Sequence, residues 1–297
     1  MIAVPRLIGR ERWERVMDGW IDDAPGQALR HTVRLREPDR EVEVTATALP
    51  SPDYRILAAA CHPLAGEVDA AVTKGFADLA GAAMVAGFTR RVAEATGRGA
   101  GSALVVDAAV EIARLSRQVA KLPRERAERA LAGPEACWEL DTTGWVDLPD
   151  SCFTYSAAGR ALFATRTVAA SMHPDFYSPR PGQERIFVRR KVARLERVRA
   201  AEGERLRLFQ SMHDNVHGFD VTYEVDTATG RIVRADSMTP RLPYAGICSE
   251  PQGRIASLVG ERLDGGLRTR IQTLLGGATG CAQLYDLTAD LLKLASG

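Results

Sequence analysis

Two stretches of the chain align with each other over 40 positions without a gap. Residues 76–115 read FADLAGAAMVAGFTRRVAEATGRGAGSALVVDAAVEIARL, and residues 255–294 read IASLVGERLDGGLRTRIQTLLGGATGCAQLYDLTADLLKL. Ten aligned residues are identical, four of them glycines. Ordinary residue usage gives roughly three identities over this length. The pattern therefore predicts an internal duplication, and duplicated units usually pair about a pseudo-twofold axis with clefts where they meet.

Strand-like runs separated by polar turns precede each aligned stretch. They are Ala28–Arg36, Glu41–Leu49 and Tyr54–Cys61 in the first half, and Leu206–Met212, Phe219–Asp226 and Arg231–Met238 in the second. Alternating apolar and polar residues between such turns are typical of antiparallel strands. A short amphipathic helix is expected over Glu11–Ile21, and helical patterns follow the strands in both halves.

These patterns predict an α+β fold. An internally duplicated unit, an antiparallel β-meander followed by helices, is expected to form a pseudo-twofold arrangement with a central insertion. The expected divisions are a first repeat over residues 1–122, an insertion with a connecting strand over 123–204, and a second repeat over 205–297. An internal pseudodimer can be self-sufficient or can pair again, so a homodimer stays open.

Composition narrows the classes of partner. The chain has 297 residues and a net charge of +1, which argues against nucleic acid as the main partner, because such binding relies on uncompensated Lys and Arg. No apolar run reaches the length that spans a bilayer, so no membrane contact is expected. Five cysteines, an odd number without CxxC spacing, favour a reduced cytoplasm over a disulfide framework.

The link between the first two strands of the second repeat contains candidate acid and base groups. His213 and His217 flank it, with Asp214 and Asp220 beside them. A histidine next to a carboxylate is oriented and kept basic, as a general base requires. Tyr155 and Tyr244 are the candidate acids. The alternative is a solvent-exposed polar turn and two packed tyrosine rings.

Cysteines near helix starts are candidates for sulfur chemistry. Cys281 follows a glycine-rich turn, where backbone N–H groups lower a thiol pKa, and Cys248 lies near the start of its own helix. Each is either a nucleophile or sulfur acceptor, or a small apolar residue that fills a tight turn. The order of meander, Gly-Cys and helix is similar to the iron–sulfur scaffold fold, whose function needs three thiolates, and this half has two.

Three motifs in the last third resemble a bacterial family known as domain of unknown function 2889. They are His217–Asp226, Pro243–Cys248 and Gly276–Leu284, and the likeness covers Lys191–Ser296. The resemblance implies a context of aromatic-compound catabolism. His217, Cys248 and Cys281 are retained as possible metal ligands, but Gln283 replaces the family's histidine, and an amide is a poor ligand. No metal site is therefore predicted.

The motifs of the common cofactor-binding and hydrolase sites are missing from the sequence. It has no GxGxxG after a strand, no GxxxxGK[ST], no GxSxG and no HExxH, so no cofactor is expected. We expect a cofactor-independent lyase or isomerase that acts by acid/base chemistry on a small aromatic catabolic intermediate. His217 or His213 would be the base, Tyr155 or Tyr244 the acid, and a nearby arginine would hold an oxyanion. The alternative is a binding or assembly protein, such as a sulfur or iron–sulfur carrier that uses Cys248 and Cys281.

Overall fold

Eight long strands form one antiparallel sheet in the computed structural model, which describes residues 4–200 and 203–296. The order across the sheet is β4-β3-β2-β1-β6-β7-β8-β9, so each half of the chain contributes four consecutive strands. A separate short pair joins β5 to β10. The strands are β1 Arg12–Asp23, β2 Leu29–Glu37, β3 Arg40–Ala48, β4 Ile56–Ala65, β5 Ala169–Ala170, β6 Phe187–Ala200, β7 Gly203–Asp214, β8 Gly218–Asp226, β9 Ile232–Arg241 and β10 Tyr244–Ala245.

Helices follow the strands in both halves and also build the insertion. They are α1 Ala70–Ala77, α2 Phe88–Thr96, α3 Ser102–Leu115, α4 Arg124–Ala130, α5 Pro134–Gly144, α6 Ala157–Ala161, α7 Pro174–Tyr177, α8 Leu267–Leu275 and α9 Ala282–Ser296. The 3₁₀ helices are Pro5–Leu7, Phe153–Tyr155, Leu162–Ala164, Glu250–Leu258 and Gly277–Thr279. Among the described residues, none of the helices has the length and apolar character needed to cross a bilayer.

The expected helix over Glu11–Ile21 is wrong, because this segment is strand β1 at the centre of the sheet. It pairs with β2 on one side and β6 on the other, with Met17 opposite Leu35 and Lys191. The spacing of Trp13, Met17 and Ile21 fits one face of a helix, but it also fits the period of two of a strand. Pairing on both edges satisfies the backbone of β1 and selects the strand.

Each half contains four long strands followed by helices, although a 3₁₀ helix over Glu250–Leu258 stands in the second half where the first has α1. Helices α2 and α8 begin and end at aligned positions of the two quoted stretches. Backbone hydrogen bonds also correspond, since Ile56 N–H donates to Ala82 O over 2.8 Å and Ile232 N–H donates to Glu261 O over 2.8 Å. Strand β6 takes the place in the second half that β1 takes in the first, next to the middle of the sheet.

Helices α3 and α9 lie over the same face of the sheet. Lys191 of β6 reaches Glu111 of α3 at 2.7 Å and Asp290 of α9 at 2.9 Å. The insertion packs into the apolar core of the first half, and this core also includes Val216, Tyr244 and Cys248 from the second. Side chains that are far apart in the sequence therefore come together where the insertion contacts the second half.

Candidate functional site

A cavity of about 120 Å³ lies where the insertion meets the second half. Its walls are mostly apolar and aromatic, formed by Trp145, Leu148, Met172, Phe176 and Phe187 among others. A few polar side chains also line it, namely Asp141, Tyr155, His217, Gln283 and the cysteines Cys152, Cys248 and Cys281. Apolar walls with a few convergent polar groups are typical of small-molecule sites.

The turn between β7 and β8 fixes His217 at this cavity. The Asp214 carboxylate accepts hydrogen bonds from the backbone N–H groups of Val216, over 2.8 Å, and His217, over 2.5 Å. The same carboxylate lies 3.1 Å from His217 Nδ1, and this imidazole is only 12% exposed. An Asp that bonds the backbone two and three residues ahead closes a tight turn, so the local sequence itself orients the imidazole.

A buried arginine holds the Asp214 carboxylate from the other side. Arg189 Nε lies 2.9 Å from Asp214 Oδ2, and the two side chains are 1% and 0% exposed. Burial acts to raise the pKa of Asp214, but the interactions with His217 and Arg189 outweigh it and hold this pKa well below its usual range. Asp214 is therefore a fixed anion behind His217.

On the insertion side, three tyrosine hydroxyls converge on the buried carboxylate of Asp141. Tyr155 donates over 2.8 Å, Tyr177 over 2.7 Å and Tyr244 over 2.5 Å. Burial raises the pKa of Asp141 to about 6, and the three hydrogen bonds only partly offset this rise. Burial, followed by the charge of Asp141, raises the pKa of all three phenols. The cluster is a buried hydrogen-bond network, of which Asp141, Tyr155 and Tyr177 line the cavity.

Three cysteines from separate segments line the same cavity. Cys248 Sγ lies 3.0 Å from Thr154 Oγ1, and the charges of the thiols interact, since Cys281 contributes to the raised pKa of Cys152 and Cys152 to that of Cys248. Burial raises the pKa of Cys152 to about 11 and that of Cys248 to about 12, and it also raises the pKa of Cys281. The thiols are therefore protonated at neutral pH. The described residues contain no group of His, Cys, Asp and Glu arranged to hold a metal ion.

Gly280 packs closely against the backbone of the turn that precedes Cys281, and its carbonyl joins this turn to the insertion. Phe153 N–H donates to Gly280 O over 2.8 Å. A Cβ at Gly280 would lie 1.9 Å from Leu275 O, so a side chain there would displace the backbone. The glycine-rich turn thus has a packing role and brings Cys281 to the cavity wall.

The structure brings some of the predicted residues together and leaves others apart. His217, Tyr155, Cys248 and Cys281 line the cavity, and Tyr244 contacts it through Asp141. His213 pairs instead with Asp220, with 3.3 Å between Nε2 and Oδ1, and it is 42% exposed and outside the cavity lining.

The arginine at the cavity does not offer a free guanidinium. Arg117 donates to Asp147 over 2.5 Å, to Ala113 O over 2.6 Å and to Met84 O over 2.9 Å. The expected role of an arginine as holder of an oxyanion therefore gains no support from Arg117.

Four residues of the site were not predicted, namely Trp145, Asp141, Tyr177 and Cys152. One signal for Asp141 was present in the sequence, because it shares a helix face with Cys137, Leu140 and Gly144 at spacings of three and four. A carboxylate within an apolar stripe indicates a buried charge with specific partners.

A larger groove of about 920 Å³ lies between α3, α9 and the central strands. Its charged groups pair with each other, since Arg15 contacts Asp107 at 2.7 Å, Arg114 contacts Asp286 at 3.0 Å and Lys191 bridges Glu111 and Asp290. Paired charges of this kind stabilise the contact between halves. The smaller cavity, with an oriented histidine and a raised carboxyl pKa, is the better candidate for chemistry.

Residues 196–296 match a family model described as "Protein of unknown function (DUF2889)". The C-terminal third of the chain matches DUF2889. This confirms the resemblance seen in the motifs of Lys191–Ser296. The DUF2889 part supplies His217, Tyr244, Cys248 and Cys281, whereas the tyrosine-bound Asp141 lies outside it. No curated protein and no solved structure matches the chain.

Proposed function

We propose that the chain is a cofactor-independent lyase or isomerase that moves a proton on a small aromatic catabolic intermediate bound in the 120 Å³ cavity. The observation that carries the proposal is the pairing of His217 with the buried Asp214 at the wall of an apolar cavity. A carboxylate, a histidine and an enclosed site are the elements of general base catalysis by side chains alone.

His217 is the proposed base. When Nδ1–H donates to Asp214, the Nε2 atom carries the lone pair and can accept a proton from the substrate. The neighbouring Asp214 anion then stabilises the imidazolium that forms, as the carboxylate does in a catalytic triad. Arg189 keeps Asp214 ionised and in place, so it is a positioning residue.

Tyr155 is the proposed acid, with Asp141 behind it. A carboxyl with a pKa of about 6 holds a proton for part of the time near neutral pH. When Asp141 is protonated, its O–H can donate to the Tyr155 oxygen, and the Tyr155 hydroxyl is then free to donate to a substrate oxygen. Tyr177 and Tyr244 hold the carboxylate when the proton has left. This arrangement lets one buried network supply and recover a proton without water.

A β,γ-unsaturated ketone tests the proposed proton transfer directly. In cyclohex-3-enone, His217 would remove a proton from the carbon between the carbonyl and the alkene. Tyr155 would hold the dienolate oxygen, and the histidine would return the proton to the far alkene carbon, giving cyclohex-2-enone. The ultraviolet absorbance of the conjugated product measures the rate. We expect the wild-type chain to exceed the rate in buffer, and His217→Gln to lose about 100-fold or more of the added rate.

His213→Gln is the matched control for this experiment. Both histidines pair with an aspartate, but only His217 lines the cavity. The control variant should keep the wild-type rate. Equal rates for wild type and His217→Gln would contradict the proposal, and a loss in His213→Gln alone would move the base to the other pair.

The second candidate function is a sulfur or iron–sulfur carrier, which the cysteine arrangement favours. The iron–sulfur function needs three thiolates, and Cys152 of the insertion joins Cys248 and Cys281 at the cavity. Their raised pKa values count against it, because the thiolate is the form that binds metal or transfers sulfur. Elemental analysis and a visible absorption spectrum of the purified chain decide between the candidates. Stoichiometric iron or zinc would reverse their order.

We also infer that the two halves are copies of one unit related by a pseudo-twofold axis between β1 and β6. The ten identities in aligned stretches, the matching ends of α2 and α8, and the shared element order support this inference. Reciprocal ion pairs add to it, because Arg114 contacts Asp286 while Lys293 contacts Asp107, and these residues occupy aligned positions. Reciprocity of this kind is the signature of a twofold interface.

We propose a cytoplasmic location and a small molecule as the principal partner. Cys61, Cys137, Cys152, Cys248 and Cys281 are all free, as a reducing compartment requires. Fractionation of the native host, with detection of the chain by antibody, tests the location.

A further inference from the structure

Trp145 lines the cavity with an indole N–H that has no hydrogen-bond partner among the described residues. The side chain is 3% exposed, and its Nε1 atom is buried. Buried tryptophan N–H groups usually donate to an acceptor, because an unpaired buried donor is costly. The aromatic neighbour Tyr177 packs edge to face against Trp145 at 5.5 Å, but its hydroxyl bonds to Asp141. A donor is thus available beside the cavity.

The charges at the cavity exclude an anionic ligand. Among the described residues, the arginine that lines the cavity is Arg117. Its guanidinium already donates hydrogen bonds to three protein acceptors. The other charged groups nearby are the carboxyl of Asp141 and the Asp214 carboxylate, which is already paired with the buried Arg189. A ligand carboxylate would therefore be buried without a cation of its own, at a high cost in free energy.

The size and the walls of the cavity favour a single ring. An apolar cavity of about 150 Å³ holds benzene, and this one measures about 120 Å³. Phe176, Phe187 and Leu148 supply flat apolar surface. Apart from the indole N–H, His217 offers a nitrogen that accepts a proton. A ring with one oxygen substituent satisfies both polar groups and the apolar walls together.

We propose that the cavity binds an uncharged monocyclic compound with a hydroxyl or carbonyl oxygen, and that Trp145 Nε1–H donates a hydrogen bond to that oxygen. This inference rests on the proposed function and names the class of its substrate. Trp145 is the specificity-determining residue, because its N–H can donate to a ligand that carries an oxygen and has no acceptor in a hydrocarbon of the same shape.

Isothermal titration calorimetry of the full chain with phenol, toluene and benzoate at pH 7 tests the proposal. Phenol should bind the wild-type chain at least about tenfold more tightly than benzoate, since benzoate carries a charge. Trp145→Phe keeps a buried ring and removes the N–H. It should bind phenol about tenfold to thirtyfold more weakly than the wild type, whereas toluene should bind both chains within about twofold. Equal toluene binding also shows that the variant cavity is intact.

A second measurement uses the wild-type chain alone, so its result does not depend on whether a variant folds. Among the indole N–H signals of the four tryptophans in a ¹H–¹⁵N spectrum, one should move downfield with phenol and stay with toluene. Equal phenol affinity in wild type and Trp145→Phe, tight binding of benzoate, or failure of phenol to bind would overturn the inference. The enone assay reads turnover and this titration reads binding. Binding of phenol without His217-dependent turnover therefore rejects the proposed function alone, and the reverse result rejects this inference alone.

Discussion

Arg114 of α3 lies 3.0 Å from Asp286 of α9, and the equivalent pair in the opposite direction joins Lys293 of α9 to Asp107 of α3. The two contacts use aligned positions of the two halves, yet their surroundings differ. Arg114 also reaches Glu111 and Asp290, both at 2.5 Å, and is 18% exposed, whereas Lys293 is 57% exposed. The Arg114 contact is thus part of a largely buried charge cluster, whereas the equivalent Lys293 contact is an exposed ion pair.

Substitutions at this pair should have unequal effects on stability. Arg114→Ala leaves three nearby carboxylates with one fewer cation and should lower the free energy of unfolding by about 3 kcal/mol. Lys293→Ala should lower it by less than about 1 kcal/mol, because the exposed pair is screened and Asp107 keeps Arg15 at 2.7 Å. Urea denaturation of both variants measures the difference. Similar losses would show that the Arg114 cluster is no more important than a surface pair.

A double variant separates the contact itself from the loss of one side chain. Asp286→Asn combined with Arg114→Ala should destabilise the chain by less than the sum of the single substitutions, because Asp286→Asn removes a carboxylate that Arg114→Ala leaves unpaired. Strict additivity would mean that Arg114 and Asp286 do not interact across the halves.

The sequence predicts much of the fold where the pattern is local. Strand β3 lies within one residue of the expected Glu41–Leu49, and helices follow the long strands in both halves as expected. Strand β1 could not be predicted, because Trp13, Met17 and Ile21 satisfy two periods and only the pairing partner β6 decides between them. Residues near β1 in the sequence cannot decide between helix and strand, since β6 lies far along the chain.

The candidate site also combines contacts that the local sequence indicates with contacts that it does not. The Asp214–His217 contact closes a turn between adjacent strands, so neighbouring residues in the sequence indicate it. The contacts of Asp141 join the insertion to Tyr244 of the second half, across 103 residues for that pair. Such a contact depends on packing that no local pattern records, and Trp145 was missed for the same reason.

Asp141 should make stability fall as pH rises between about 4 and 6. Its pKa is raised from 3.8 in the unfolded chain to about 6 in the folded chain, so the folded chain binds the extra proton in this window. The free energy of unfolding should drop by about 2 kcal/mol from this group alone on passing from pH 4 to pH 7. Other groups also titrate there, so the measurement is the difference between wild type and Asp141→Asn by urea denaturation at several pH values. A difference that does not change with pH would contradict the raised pKa.

Titration of His31 should change stability in the opposite direction over nearly the same pH range. Burial lowers the pKa of its imidazole from 6.5 to about 4, and its Nε2 atom has no partner among the described residues. The unfolded chain takes up a proton below about pH 6.5 that the folded chain refuses until about pH 4, so stability should fall by about 3 kcal/mol as pH drops through this range. His31→Leu should remove that part of the loss. An unchanged pH dependence in the variant would assign the acid sensitivity to other groups.

The cavity thiols should react slowly at neutral pH. With pKa values of about 11 for Cys152 and about 12 for Cys248, the thiolate fraction at pH 7 is on the order of 100-fold or more below that of a free cysteine. Alkylation by iodoacetamide, followed by mass spectrometry of peptides, measures each rate, and the denatured chain supplies the rate of an unhindered thiol. The rate should rise about tenfold for each pH unit up to pH 9, and phenol should slow it further if it occupies the cavity. A thiol among Cys152, Cys248 and Cys281 that alkylates at pH 7 as fast as in the denatured chain would contradict the buried, protonated state and would favour the sulfur-carrier function over the acid/base enzyme.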